Sequence, residues 1–246
     1  MRLDANTVLV TGGASGIGLA IAERFARAGS QVVVCGRRAD KLEEARRKVP
    51  ALETRVCDLS READRTAFCG RVVQEFPRLN VLVNNAGIQV HAALTEPASW
   101  TRFREELATN LEAPIHLSML LIPHLRSQPR AAIWNVASGL SFVPMARAPV
   151  YSATKAAIHS FTLSLRHQLG GTPIEVIEVI PPAVNTDLGG VGLHAFGVGV
   201  DEFVDAVMAR IEKGENEVAY GFSQQTSQAS RAELGEVFRR LNESAH

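Results

Sequence analysis

Two side chains stand out for the chemistry they could do together. Tyr151 and Lys155 lie four residues apart in Val150–Leu169, a segment whose pattern predicts a helix. A spacing of four puts both on one helical face. A phenol titrates near pH ~10, too high for ready proton exchange at neutral pH, and a neighbouring ammonium is expected to lower it. So tuned, a tyrosine can give a proton to a carbonyl oxygen or take one from an alcohol. Ser138 follows the predicted strand Ala131–Val136, at the sheet end where α/β proteins bind ligands, and its hydroxyl is placed to hold the reacting oxygen. A Tyr-x-x-x-Lys pair is weak evidence alone. The chain has only 2 tyrosines, however, and this one lies beside Ser138.

A second constellation sits near the start. Thr11-Gly12-Gly13-Ala14-Ser15-Gly16-Ile17-Gly18 follows the strand-like Thr7–Val10 and opens a predicted helix, Gly16–Ala28. Glycines there let the chain turn sharply and let the backbone approach a pyrophosphate, while the helix start offers free N–H groups to the anion. Gly12, Ser15 and Ile17 are the expected contacts. An acidic residue about 20 positions on would hold a ribose 2′-hydroxyl. That place carries Gly36, then Arg37 and Arg38. The two arginines either bind a 2′-phosphate or merely occupy a solvated helix start. The first reading is preferred, so NADP(H) is favoured and NAD(H) stays open.

The elements that must position these groups alternate. Apolar runs predict strands at Gln31–Cys35, Leu52–Cys57, Val81–Asn84, Ile174–Ile180 and near Val218–Tyr220. Helices are expected between them, including one long helix over Trp100–Leu125 and a last one near Arg231–Leu241. Strands apolar throughout are buried on both faces, as in a parallel sheet covered by helices. The expected architecture is α/β: a Rossmann-type doubly wound parallel sheet of about seven strands in a three-layer α/β/α sandwich. No linker breaks the 246 residues, so a single domain over 1–246 is expected, with Gly-rich residues 187–200 as a lid.

Composition excludes other classes. Lys plus Arg (26) balances Asp plus Glu (26), which argues against partnership with nucleic acid or an anionic membrane. Cys35, Cys57 and Cys69 lack CxxC spacing and are read as small buried hydrophobes in a reducing compartment. The histidines show no metal-ligand spacing, so no metal is expected. The N-terminus passes almost at once into a strand, leaving no room for a signal peptide, and a cytoplasmic protein is expected.

With the glycine cradle, Ser138 and the Tyr/Lys pair in this order, the sequence resembles the classical short-chain dehydrogenases/reductases over nearly its whole length. Thr11–Gly18 matches the family's TGxxxGIG, and Asn84-Asn85-Ala86-Gly87 its NNAG. Segments such as LNVLVNNAGIQ, PPAVNTDLGG and YGFS are similar to the DltE-like subgroup. The resemblance implies that Tyr151 is the proton donor and acceptor, that Lys155 lowers its pKa and binds the nicotinamide ribose, and that Ser138 polarises the carbonyl. It implies that Asn110 holds a water relaying protons to Lys155. It also implies cofactor contacts at Asp58 and Leu59, at Asn85, Ala86 and Gly87, and at Pro181, Val184 and Thr186. Pro182 stands where the family usually has glycine; it lacks an N–H and cannot take positive φ, so the backbone beside the nicotinamide should be stiffer or differently routed.

The resemblance places Leu140, Phe142 and Val143 after Ser138, and Leu188, Leu193 and Phe196 in the lid, facing a small-molecule substrate. Apolar walls suit a lipophilic or aromatic ketone or secondary alcohol. His91 and His194 are the ionisable candidates there, His194 being read as a loop histidine before a second catalytic acid. The leading function is carbonyl reduction with NADPH or its reverse. An epimerase or dehydratase, and a non-catalytic NADP-binding sensor or scaffold, are the alternatives. A homodimer or homotetramer, joined through the helices at Trp100–Leu125 and Val150–Leu169, is implied.

Overall fold

The computed structural model describes residues 1–97 and 99–243. Its strands are β1 (Thr7–Thr11), β2 (Gln31–Gly36), β3 (Leu52–Val56), β4 (Val81–Asn84), β5 (Ala131–Val136), β6 (Ile174–Ile180) and β7 (Glu217–Ala219). They form one sheet in the order β3-β2-β1-β4-β5-β6-β7, every neighbouring pair parallel. The order reverses between β1 and β4, and such a switch point opens a crevice at the strands' C-terminal ends.

Alternation along β1 builds a core on each face. Val8 and Val10 join the cluster under α1 (Gly16–Arg27) and α7 (Val200–Glu212), with Phe25, Phe203 and Ile211. Leu9 faces the other way, toward α3 (Glu62–Glu75), α5 (Ala113–Leu125) and α6 (Pro149–Gln168), with Phe68, Leu121 and Leu165. Both faces being covered, the central strands are buried throughout; the edge strand β3 is not, and Val56 is 57% exposed. Cys35, Cys57 and Cys69 are free thiols in this second core. Burial pushes Cys57 up to about 11 and Cys69 to about 12, which keeps them inert. Helix α2 (Ala39–Lys48) completes the first face.

The helix expected over Trp100–Leu125 runs unbroken in helical backbone, with one π-helical turn inside it. Its parts are α4 (Trp100–Leu107), the π-helical turn (Ala108–Glu112) and α5. Pro114 follows the π-helical turn inside this run, where its missing N–H leaves one helical hydrogen bond unmade. The tail adds α8 (Phe222–Gln228), a helix the apolar pattern did not reveal, before α9 (Arg231–Glu243). Among the described residues, no helix is long and apolar enough to cross a membrane.

Candidate active site

At the switch point, β1 and β4 are tied by one side chain. The Thr11 hydroxyl donates to the Val83 carbonyl at 3.1 Å and accepts from the amides of Asn85 at 2.9 Å and Ala86 at 3.0 Å. The Asn85 side chain returns a bond to the Thr11 carbonyl at 2.8 Å. The glycines between β1 and α1 are required by this closeness. Gly12 and Gly16 have φ of +64° and +54°, and a Cβ on Gly18 would run into the Asn85 amide and stand 2.6 Å from the Gly12 carbonyl. Ser15 caps α1 in extended conformation without a side-chain bond to the helix, leaving the first-turn N–H groups for a ligand. Ile17 packs against the core, and Thr186 lies over the cradle, its methyl 3.2 Å from where a Gly16 Cβ would be. A backbone that no side chain can fill, ending on open N–H donors, fits a pyrophosphate.

The cradle's far end fits an adenosine. Gly36 ends β2, and Arg37 and Arg38 follow it on the surface, without an ion pair among the described residues. The Asp58 carboxylate is held by the amide of Ser60 at 3.0 Å and its hydroxyl at 2.7 Å. Leu59 is buried, and its carbonyl accepts from Arg65 at 2.7 Å. Arg65, only 3% exposed, also bonds His116 at 3.1 Å and so ties this turn to α5. Sequence reading missed Arg65. An arginine within an otherwise apolar helix face was the available signal.

The reacting end gathers Ser138, Tyr151, Lys155 and Asn110, all buried. Ser138 leaves β5 in extended conformation, and its Oγ accepts from the Leu140 amide at 3.1 Å. Its side chain adjoins the Tyr151 phenol and favours the ionised form. Lys155 donates to the Val136 carbonyl at 2.7 Å and lies 5.6 Å from the Tyr151 ring centroid. Burial brings the Lys155 ammonium down to about 8. Burial is also the largest influence on Tyr151 and drives the phenol above its ordinary value; the Ser138 side chain opposes this and the Glu106 charge adds to it.

Asn110 sits in the π-helical turn and clamps Ile88 from both sides. Its Oδ1 accepts from the Ile88 amide at 2.9 Å and its Nδ2 donates to the Ile88 carbonyl at 2.8 Å. One turn earlier, the fully buried Glu106 accepts from the Val90 amide at 2.8 Å. No hydrogen bond joins Asn110 to Lys155 among the described residues. Gly87 lies between them, its would-be Cβ 3.5 Å from Asn110 Oδ1 and 3.9 Å from Lys155 Nζ.

After β6 the chain is routed by the Pro181 carbonyl, which accepts from the Gly139 amide at 3.0 Å and the Ser223 hydroxyl at 2.7 Å. Ser223, buried in α8, so tethers both the turn after Ser138 and the segment with Val184 and Thr186. It crowds Gly139 so closely that a Cβ there would collide with its hydroxyl. This clamp also escaped sequence reading. Val184 points into the core, and its backbone bridges Val198, closing residues 187–197 into a loop pinned at its base. Of the expected pocket residues, Leu140 and Leu188 are half-buried, while Leu193 and Phe196 are 42% and 73% exposed. Phe142 instead stacks edge-on against His159, centroids 4.8 Å apart, and Val143 is fully buried.

The family model for short chain dehydrogenases matches residues 6–191, which takes in the cradle, the NNAG turn and all four buried polar residues. The chain is a short-chain dehydrogenase. It is 42% identical, over 98% of both chains, to the uncharacterized oxidoreductase DltE of Bacillus subtilis, which places this short-chain dehydrogenase in the DltE-like subgroup. Its fold is similar to a short-chain dehydrogenase from Sphingobium yanoikuyae in complex with NADPH, at 29% identity and a TM-score of 0.80 over 96% of this chain and 94% of that one. A short chain dehydrogenase from Burkholderia cenocepacia in complex with NADP is similar at 26% identity and a TM-score of 0.84, covering 98% and 99%.

Proposed function

We propose that this short-chain dehydrogenase transfers hydride between NADP(H) and a carbonyl or secondary-alcohol substrate. The observation that carries this is the burial together of Ser138, Tyr151 and Lys155 beside the glycine cradle, with the Lys155 ammonium 5.6 Å from the phenol ring centroid. NADP(H), when bound, supplies or accepts the hydride. In the reduction, Ser138 holds the carbonyl oxygen, and the Tyr151 phenol gives its proton to that oxygen as the C–O π pair moves onto it. The buried Lys155 ammonium stabilises the resulting phenolate. The gap at Gly87, between Lys155 and Asn110, is the place for a water that returns the proton. Arg37 and Arg38, without acidic partners among the described residues, hold the 2′-phosphate, and Leu140 and Leu188 form apolar walls for a lipophilic or aromatic substrate.

The similar structures with NADPH and NADP support the cofactor assignment. Exposed Met119 and Leu163, at 64% and 44% on α5 and α6, support a homodimer or homotetramer built on those helices. The reduced, buried cysteines support a cytoplasmic site of action. The test is a panel of ketones, α-diketones and secondary alcohols run with NADPH and NADH side by side. Turnover of several carbonyls, faster with NADPH, is expected; no cofactor oxidation with any member would overturn the reading.

A further inference from the structure

The rim of the reaction pocket holds polar groups that the proton transfer does not use. Three segments meet there: the turn after β4, the loop before α6 and the pinned loop after β6. The Ala92 amide donates to the Arg147 carbonyl at 2.9 Å, which sets the first two side by side, four residues ahead of Tyr151. From the third, a Cβ on Gly189 would stand 3.3 Å from both the backbone and side-chain oxygens of Gln89. The loop's first turn therefore lies on the residues leading to His91. His91 and His194 come within electrostatic reach of one another, and Arg147 of both.

Nε2 of His91 and Nδ1 of His194 are shielded from solvent and have no hydrogen-bond partner among the described residues. Buried polar atoms in folded proteins nearly always have partners, so an orphaned pair at a pocket mouth points to a ligand. Arg147 is exposed; its Nε bonds the Met145 sulfur at 3.0 Å, and no carboxylate pairs with it among the described residues. Glu106, the acid beneath this turn, is occupied by the Val90 amide, and burial holds its carboxyl above the usual range.

We propose that Arg147, His91 and His194 form an anion-binding corner at the mouth of the reaction pocket, and that the substrate is a carbonyl or alcohol compound bearing a carboxylate. This rests on the oxidoreductase reading and names its substrate class. One guanidinium matches the single charge of a carboxylate, and the imidazoles add N–H donors. A phosphate dianion would need both imidazoles charged beside Arg147, which repels them. Burial first, and Arg147 with it, holds both histidines below their ordinary value in the free protein, against an opposing pull of the Leu188 backbone on His194. A bound carboxylate raises them again, so binding takes up protons and weakens as pH rises.

Calorimetric titration of benzoate and benzamide, with and without NADP⁺, tests this without turnover. At about pH 6, benzoate is expected to bind about 10-fold more tightly than benzamide, with heats that vary with the buffer's ionisation enthalpy. That ratio should shrink at about pH 8.5, where neutral imidazoles prevail. Arg147→Ala and His194→Gln should each lower it about 5-fold or more at the lower pH. Equal affinities, no measurable benzoate binding, or a ratio that neither pH nor the substitutions move would overturn the proposal. Failure of the oxidoreductase reading would show separately, as an absence of NADPH oxidation across the carbonyl panel.

Discussion

Lys155 and Arg37 carry the account at the scale of single residues, one by being buried and the other by being exposed. Lys155 titrates at about 8 in the folded chain against an ordinary 10.5, because burial disfavours its charge. Between those values the native state binds fewer protons than the unfolded one, so stability attributable to Lys155 rises with pH. Its cost is full below about pH 8 and relieved toward about 10.5. Measured against Lys155→Met by chemical denaturation, wild type should therefore gain up to about 3 kcal/mol as pH climbs through that interval. A difference constant with pH would show that the ammonium is not desolvated. Arg37 makes the opposite case. It has no ion pair to lose among the described residues, so Arg37→Ala should leave folding unchanged and weaken NADP⁺ by about 10-fold or more while sparing NAD⁺. Equal losses in fluorescence titrations with the two cofactors would make it a surface charge only.

At the scale of elements, the chain's strands and the cradle were legible because their signals are local. Val8-Leu9-Val10 is apolar on both faces, and Gly12, Gly16 and Gly18 stand where only glycine fits. The π-helical turn at Ala108–Glu112 was not legible, since Ala, Thr, Leu and Glu permit either helix. What selects it is the distant Ile88 backbone, both of whose polar groups Asn110 must meet. Helix α8 was hidden for a similar reason. It buries Ser223 and Thr226, not an apolar stripe, and its anchor is a hydrogen bond to Pro181, 42 residues away. Phe142 shows the same limit at the pocket, because its place beside His159 depends on a partner that local patterning does not display. Ser223→Ala should cost about 1 kcal/mol in stability, the ordinary worth of a buried hydrogen bond. It should also lower kcat more than it raises KM, because the Pro181 carbonyl links the turn after Ser138 to the cofactor-side segment. Unchanged kinetics in the presence of the stability loss would reduce α8 to packing alone.

For the molecule as a whole, one sheet carries every part of the site, from Gly12 after β1 to Thr186 after β6. The balanced total charge is unevenly placed: Arg37 and Arg38 stand at one end of the crevice and Lys155 is buried at the other. Faces left open by the fold lie elsewhere, on α5 and α6, where Met119 and Leu163 meet solvent. Met119→Glu should shift the protein to a smaller species in sedimentation velocity if copies join there; an unchanged size would place the interface on another face. The central claim, however, concerns one proton, which the Tyr151 phenol beside Ser138 gives to a carbonyl oxygen. The direct measurement is NADPH oxidation with a reactive carbonyl by wild type and by Tyr151→Phe, alongside NADPH binding by both. Loss of turnover by about 10²–10⁴-fold with cofactor affinity retained is the predicted result. Turnover persisting in Tyr151→Phe at a comparable rate would contradict the account.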